Sequence, residues 1–385
     1  MSLTLERRFS VAEFFAGGGM VRAALGPGWH VALANDIDPK KCECYRRNWG
    51  DTDLIEGDVG LLNPILLRQP IDLYWASSPC QDFSLAGQRR GMAGARSGVF
   101  EKWVSLVADA AAHGFSPRII AFENVTGLLT SNGGRDFEQV ITSFVDLGYR
   151  VGAVEIDARN FVPQSRPRLF VIAVRRDVAL PGHILTGKPI EPFHSRRLRD
   201  RVGSLSLSIR SEWLWWDLPV PEASATSLES CLDTDVAQTW FPADEVERLL
   251  GMMTDANLFK LESAKAMKRK VVGTLYRRGR PDASGVVRQR VEVRFDGVAG
   301  CLRTPAGGSS RQTLVFVDEH AVTMRLLSPR EAATLMGLPQ SYVLPQSFNE
   351  AYKISGDGVV VPVVKYLRDR IFDPILKEPL LRLAA

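Results

Sequence analysis

The 385-residue chain is poor in cysteine, and the few it has exclude more than they suggest. Cys42, Cys44, Cys80, Cys231 and Cys301 are an odd set without regular spacing. No disulfide framework is expected, and a reducing compartment is. Cys42-Glu43-Cys44 is too tight for a zinc site, and the five histidines are scattered, so no metal is expected. Long hydrophobic runs are also missing. No stretch approaches the roughly 18 to 20 apolar residues of a membrane span, and Met1 to Arg8 lacks the apolar core of a signal peptide. Repeats and low-complexity tracts are absent. A cytoplasmic enzyme, with no membrane partner, is the expectation. The charge excess is small as well. With 48 Lys and Arg against 44 Asp and Glu, a net +4 names no polyanionic partner, so the distribution of charge must decide.

What is present begins with alternation. Candidate strands at 9–15, 30–35, 54–56, 72–77, 118–123, 151–156 and 168–174 are separated by helical patterns. One helix opens near Gly19. Another starts at Asp38-Pro39, an acidic cap before a helix-initiating proline. Others cover about 100–113 and 136–147. This order predicts a mostly parallel sheet with helices on both faces. The pattern changes after Arg176. Residues 181–245 carry prolines, serines and a tryptophan cluster (Trp213, Trp215, Trp216, Trp240), and residues 259–303 hold twelve Lys or Arg against four acids. That local +8 suits a surface that neutralises phosphates. The last 50 residues turn helical again, and 363–371 predicts a helix that packs back on the first domain.

Four segments fall at strand ends, where open α/β sheets bind ligands. Pro79-Cys80-Gln81 follows the apolar run 71–78, placing a thiol beside a small, polar and basic loop. Free cysteines are mostly small buried hydrophobes, but a thiol at a strand end is a candidate nucleophile. Phe15-Ala16-Gly17-Gly18-Gly19 follows the first strand, and glycines there allow close approach to a ligand. Asp36 and Asp58 end the second and third strands, with Ile37 and Val59 next to them. Acids in those places fit an adenosine-containing ligand, though ordinary turn capping also uses them. Glu123, ending the fifth strand, is placed to act as an acid or to bond a base edge. Arg166 and Arg168 lie two apart on an extended segment, so they are expected to aim two guanidinium groups at one site.

Taken together these segments resemble the ordered motifs of the DNA cytosine-5 methyltransferases. Further matches are Arg96-Ser97-Gly98-Val99-Phe100, Leu327-Ser328-Pro329-Arg330-Glu331, Met336-Gly337-Leu338-Pro339 and Gly356-Asp357-Gly358-Val359. The likeness covers nearly the whole chain outside a variable stretch near 178–320. It departs at Glu13, where Asp is more usual, at Ser77-Ser78, and at Asp357, where Asn is more usual.

The resemblance implies an α/β, Rossmann-like S-adenosylmethionine-dependent methyltransferase sheet over 1–177. A smaller, mostly irregular or β target-recognition domain is implied at 178–322, and a C-terminal segment at 323–385 that partly returns to the first domain. It implies Cys80 as the nucleophile that adds to cytosine carbon 6, Glu123 as the group meeting ring nitrogen 3, and Arg166 and Arg168 as binders and orienters of the base. The S-adenosylmethionine pocket is expected from Phe15, Ala16, Gly17, Gly19, Asp36, Ile37, Asp58, Val59, Pro79, Val99, Asp357 and Val359, with S-adenosylhomocysteine as product. DNA contacts are expected from Gln81, Ser84, Arg89, Arg90, Arg96, Gln164, Arg277 and Arg278. The implied partner is double-stranded DNA, met by a monomer, with any restriction endonuclease on a separate polypeptide. A tRNA methyltransferase is the nearest rival.

Overall fold

The computed structural model describes residues 9–78, 98–222, 226–233, 240–281, 284–304 and 311–380. They form two compact units. The first takes residues up to Asp157, then Pro167–Val220 and the segment from Val361 onward; the second takes Ala158–Arg166 and Pro221–Val360.

The first unit is built on a nine-stranded sheet. Its strands are β1 (Phe9–Phe14), β2 (Trp29–Asp36), β3 (Leu54–Glu56), β4 (Leu73–Ser77), β5 (Ile119–Val125), β6 (Tyr149–Asp157), β7 (Pro167–Arg175), β8 (Leu185–Thr186) and β9 (Trp213–Trp216). The order across the sheet is β3-β2-β1-β4-β5-β7-β6-β9-β8. Strands β1 to β5 run parallel, while β7 is antiparallel to both β5 and β6. The helices α1 (Met20–Leu25), α2 (Pro39–Trp49), α3 (Gly98–Ala112) and α4 (Arg135–Asp146) fill the connections. Asp38 caps α2 as its position before Pro39 requires, its carboxylate accepting from the Lys40 and Lys41 amides.

One face of the sheet is sealed by aromatic side chains. Phe14, Phe100, Trp103, Phe122 and Phe144 are all buried and meet mainly edge to face, with ring centroids 5.2–6.3 Å apart. Such pairs add about 0.5–1.5 kcal/mol each beyond the area they bury.

The Trp213–Trp216 run extends this same sheet. β9 pairs in parallel with β6, and Trp215 packs edge-on against the buried His194 ring at 4.8 Å. Residues 178–220 therefore group with the first unit, although the sequence reading placed them in the 178–322 domain. The reason is that β9 finds its hydrogen-bond partners on β6. The C-terminal helix Val361–Leu367 groups here too, followed by Arg368, which caps α1 by donating to the carbonyls of Ala24 (3.1 Å) and Leu25 (2.7 Å).

The second unit holds a four-stranded antiparallel sheet of order β11-β10-β12-β13, from β10 (Val271–Pro281), β11 (Val287–Arg294), β12 (Thr313–Val317) and β13 (Val322–Leu326). Two helices, Ala243–Leu250 and Asp255–Lys265, cover one of its faces through Val246, Leu249, Leu261, Val291, Val293 and Met324. The unit is thus built on a small antiparallel sheet, as expected of an irregular or β domain, with two helices on one face. Arg325 and Glu331 make a buried ion pair at 2.7 Å, and Glu331 also completes a capping box with Ser328.

Candidate active site

The turn after β1 is held in an uncommon backbone shape. Phe15 (φ 59°), Gly17 (φ 56°) and Gly19 (φ 77°) all lie in the left-handed region. At Gly19 a side chain has no room either: a Cβ there lies 2.4 Å from Trp49 Nε1 and 2.9 Å from Tyr45. Trp49 Nε1 donates to the Gly18 carbonyl at 3.0 Å, so α2 braces the loop from outside.

Asp36, ending β2, fixes the loop from inside. Its Oδ2 accepts from the Gly17 amide and its Oδ1 from the Asp38 amide, both at 2.8 Å. Burial raises its carboxyl above the ordinary range, against the pull of nearby Lys41 and of those two amides. Ile37 beside it is 65% exposed, an apolar side chain with no core to cover it. At the end of β3, Asp58 accepts from the Gly60 amide (2.8 Å) and from Lys102 Nζ (3.0 Å), and these bonds hold its carboxyl low. Val59 is buried, and Val99 lies in the first turn of α3, half-buried.

Glu13, within β1, is the most perturbed carboxyl on this side of the sheet. It is fully buried, and desolvation pushes its pKa up to about 8 although the Val21 and Arg22 amides donate to it. Its Oε2 has no hydrogen-bond partner. Nearby, Arg22 Nη1 donates to Asp53 at 2.5 Å and Tyr45 Oη to the same carboxylate at 2.7 Å. Sequence reasoning noted Glu13 only as an unusual residue; its burial under the loop was not visible there.

Glu123 lies near the end of β5, in register with Ser77, the last residue of β4. It is buried, and its Oε1 pairs with Arg168 Nε at 2.9 Å. The pairing follows from register: β7 is reversed, Arg168 sits opposite Val125, and it reaches diagonally to Glu123 on the same face. β4 thus ends beside Glu123, and the chain then continues to Pro79, Cys80 and Gln81. Those three, with Ser84, Arg89, Arg90 and Arg96, lie outside the described residues.

The second unit holds a different set. Arg166 is 2% exposed, and its guanidinium grips main chain. Nη1 donates to the Leu302 carbonyl (2.8 Å), and Nη2 to those of Gly356 (2.8 Å) and Gly358 (2.7 Å). The two arginines therefore engage separate partners instead of aiming together: Arg168 meets Glu123 and Arg166 these carbonyls. Gln164, expected at DNA, is instead fully buried; its amide donates to the Leu335 carbonyl and accepts from the Leu302 amide, so its fixed amide plane ties three segments. Gly356 has no space for a Cβ, which lies 2.6 Å from the Thr304 nitrogen. The Asp357 carboxylate is engaged by the Thr304 hydroxyl, and Val359 is buried. Arg277 and Arg278 are exposed on β10.

A mostly parallel sheet interrupted by the reversed strand β7, with a tightly turned glycine loop and strand-end carboxylates along one edge, is the architecture of the Rossmann-like methyltransferases. Within that class the assignment is narrower. The family model for C-5 cytosine-specific DNA methylases matches residues 9–373, and the chain belongs to that family. It is 25% identical over 370 residues to the type II methyltransferase M.HhaI of Haemophilus parahaemolyticus, a match covering 95% of each chain. It is 34% identical over 174 residues to M.Eco47II of Escherichia coli, where the match spans 44% of this chain and 40% of that protein. Two solved structures share the fold: the Dnmt2 methyltransferase of S. pombe (TM-score 0.62, 17% identity, 96% of this chain and 99% of that one) and the Entamoeba histolytica methyltransferase EhMeth (TM-score 0.64, 14% identity, 97% and 100%).

Proposed function

We propose that the protein transfers a methyl group from S-adenosylmethionine to carbon 5 of a cytosine flipped out of duplex DNA. The observation that carries this reading is the shared sheet edge. The Asp36-pinned glycine loop at the ends of β1 and β2 lies on the same edge as Glu123 and the end of β4, which leads directly into Pro79-Cys80-Gln81. The loop fits the cofactor: its left-handed residues and missing Cβ atoms let backbone come close to a ligand, and exposed Ile37 offers an apolar surface to an adenine ring. Residues 15–17 and 19, Asp36, Ile37 and Asp58 would hold it, and the bound cofactor supplies an electrophilic methyl group.

The chain's own residues supply the rest. Cys80, as thiolate, adds to ring carbon 6; the 5,6 double bond opens and carbon 5 becomes nucleophilic. Glu123, as the acid, donates a proton to nitrogen 3, where the charge of the addition would otherwise collect, and takes it back as carbon 5 gains the methyl group; Arg168 holds its carboxyl in place. Arg166 acts as a positioning residue, holding segment 356–358 against 302. Once carbon 5 carries the methyl group, a base removes its proton, the double bond re-forms and the thiolate leaves. Flipping the target from the duplex costs a few kcal/mol, offset by contacts to the strand and base.

The test is methyl transfer from labelled S-adenosylmethionine to duplex DNA and to tRNA, with Cys80→Ala alongside, and bisulfite sequencing of the DNA product. Transfer to cytosine in DNA is expected, lost in Cys80→Ala while DNA binding persists. Undiminished activity in that variant overturns the nucleophile assignment, and transfer confined to tRNA overturns the substrate.

A further inference from the structure

Three consecutive glycines, Gly17 to Gly19, make up most of the loop after β1. A glycine run has more conformational freedom than any other, and a loop left unheld would lose that freedom each time a ligand bound. Asp36 pins one side of the loop through the Gly17 amide, at 2.8 Å. The other side is held by α2. Lys41, Tyr45 and Trp49 recur every four residues on one stripe of that helix. The loop runs along the stripe: a Cβ at Gly17 would lie 4.0 Å from Lys41, and one at Gly19 would lie 2.9 Å from Tyr45 and 2.7 Å from Trp49 Cδ1. Gly50, at φ 86°, ends the helix directly after Trp49 and so fixes where the indole stands.

The indole is itself clamped. Arg22, on α1 just beyond the loop, lies over the Trp49 ring at 5.4 Å and over the Tyr45 ring at 5.7 Å. Its Nη1 donates to Tyr45 Oη at 2.9 Å and to the Asp53 carboxylate at 2.5 Å, which also accepts from Tyr45 Oη at 2.7 Å. The Asp53 carbonyl accepts in turn from the Ala34 amide at 2.7 Å, two residues before Asp36 on β2. The two pins on the loop, Asp36 and Trp49, are thus tied to one another through Arg22, Asp53 and β2. The circuit closes behind the loop and lies wholly within the first unit.

We propose that Trp49 is a positioning residue for S-adenosylmethionine. Its N–H holds the Gly18 carbonyl, at 3.0 Å, and Arg22 keeps the indole in place, so the glycine loop has its binding shape before the cofactor arrives. No step of the methyl transfer passes through the indole, so its effect falls on cofactor affinity and not on turnover. This rests on the cofactor reading given under the proposed function.

The test uses Trp49→Phe in the full chain, which removes the N–H donor and keeps an aromatic ring against Gly19 and beneath Arg22. Trp29→Phe is the comparison: it removes another indole donor, to Asp373 at 3.1 Å, from the opposite end of β2. Calorimetry measures S-adenosylmethionine and S-adenosylhomocysteine binding, beside kcat and KM on a duplex DNA that the unaltered protein methylates. For Trp49→Phe, Kd and KM for S-adenosylmethionine are expected to rise roughly three- to tenfold, the worth of one hydrogen bond. At saturating cofactor, kcat and the KM for DNA should stay within about twofold of the parent. Trp29→Phe should lower the melting temperature about as much and leave the cofactor constants unchanged. Arg22→Lys keeps a charge beside Asp53 but gives up the flat stack, and should raise the same Kd about twofold or more. Unchanged cofactor affinity in Trp49→Phe overturns the proposal, and in Arg22→Lys it does so if the Phe variant fails to fold. A loss confined to kcat overturns it as well. So does an equal loss of affinity in Trp29→Phe, which would trace the effect to stability alone. If the unaltered protein binds neither S-adenosylmethionine nor S-adenosylhomocysteine, it is the cofactor reading that fails.

Discussion

Glu13→Gln turns the buried carboxyl beneath the glycine loop into a measurement. In the folded protein burial pushes Glu13 up to about 8, against roughly 4.5 in the unfolded chain. Between those values the native state holds a proton that the unfolded state releases. Stability therefore falls as pH rises through the window from about 4.5 to 8. One fully shifted group contributes about 1.4 kcal/mol per pH unit inside the window, so raising pH from 5.5 to 7.5 removes about 2.7 kcal/mol through Glu13 alone. Glutamine cannot ionise. It keeps a carbonyl oxygen for the Val21 and Arg22 amides, but places an NH2 where Oε2 has no partner, a penalty of about 1–3 kcal/mol that does not vary with pH. The assay is urea unfolding of both proteins from pH 5 to 8.5. The difference in unfolding free energy should shift towards the variant by about 1.4 kcal/mol per unit and flatten above pH 8. A difference constant across that range would show that Glu13 is ionised throughout, and would refute the reasoning.

Other substitutions test the neighbouring geometry. Gly19→Ala forces a left-handed φ on alanine, about 1–2 kcal/mol, and adds a clash with Trp49; calorimetry should show weakened S-adenosylmethionine binding and a lower melting temperature. Arg166→Lys loses the planar fork that meets three carbonyls, so thermal stability should drop by an amount worth about 2–4 kcal/mol. Arg168→Ala unpairs buried Glu123; methyl transfer should fall at least tenfold, most visibly in kcat, with cofactor affinity kept. His194, held down to about 4 by burial, stays neutral when folded, so stability should decline as pH falls from 6.5 towards 4, and His194→Asn should remove that part of the decline.

Much of the first unit was legible because strands buried on both faces read as continuous apolar runs. The predicted 151–156 became Tyr149–Asp157, and 118–123 became Ile119–Val125. The reversal of β7 was not legible, since a strand buried on both faces carries the same pattern in either direction. The tryptophans at 213–216 misled for a related reason: a short aromatic strand looks alike in either unit until its partner, β6, is known. Gln164 was expected at DNA and Arg166 at the base, and their burial was not legible, because their partners lie 135–192 residues away, beyond any local pattern. No strand was expected at 271–281, so Arg277 and Arg278 were expected together at DNA; the register of β10 with β11 puts them on opposite faces.

The placement of Arg166 bears on how such a protein can be taken apart. The chain passes between its units four times, and the nine residues 158–166 belong with a unit whose remainder begins at Pro221. The second unit transplanted as one contiguous piece, 221–360, would carry the carbonyls of Leu302, Gly356 and Gly358 and leave their guanidinium and the Gln164 amide behind. Chimaeras between relatives should then succeed only when the short loop between β6 and β7 travels with the larger segment, so that the unit of exchange is two stretches of gene rather than one.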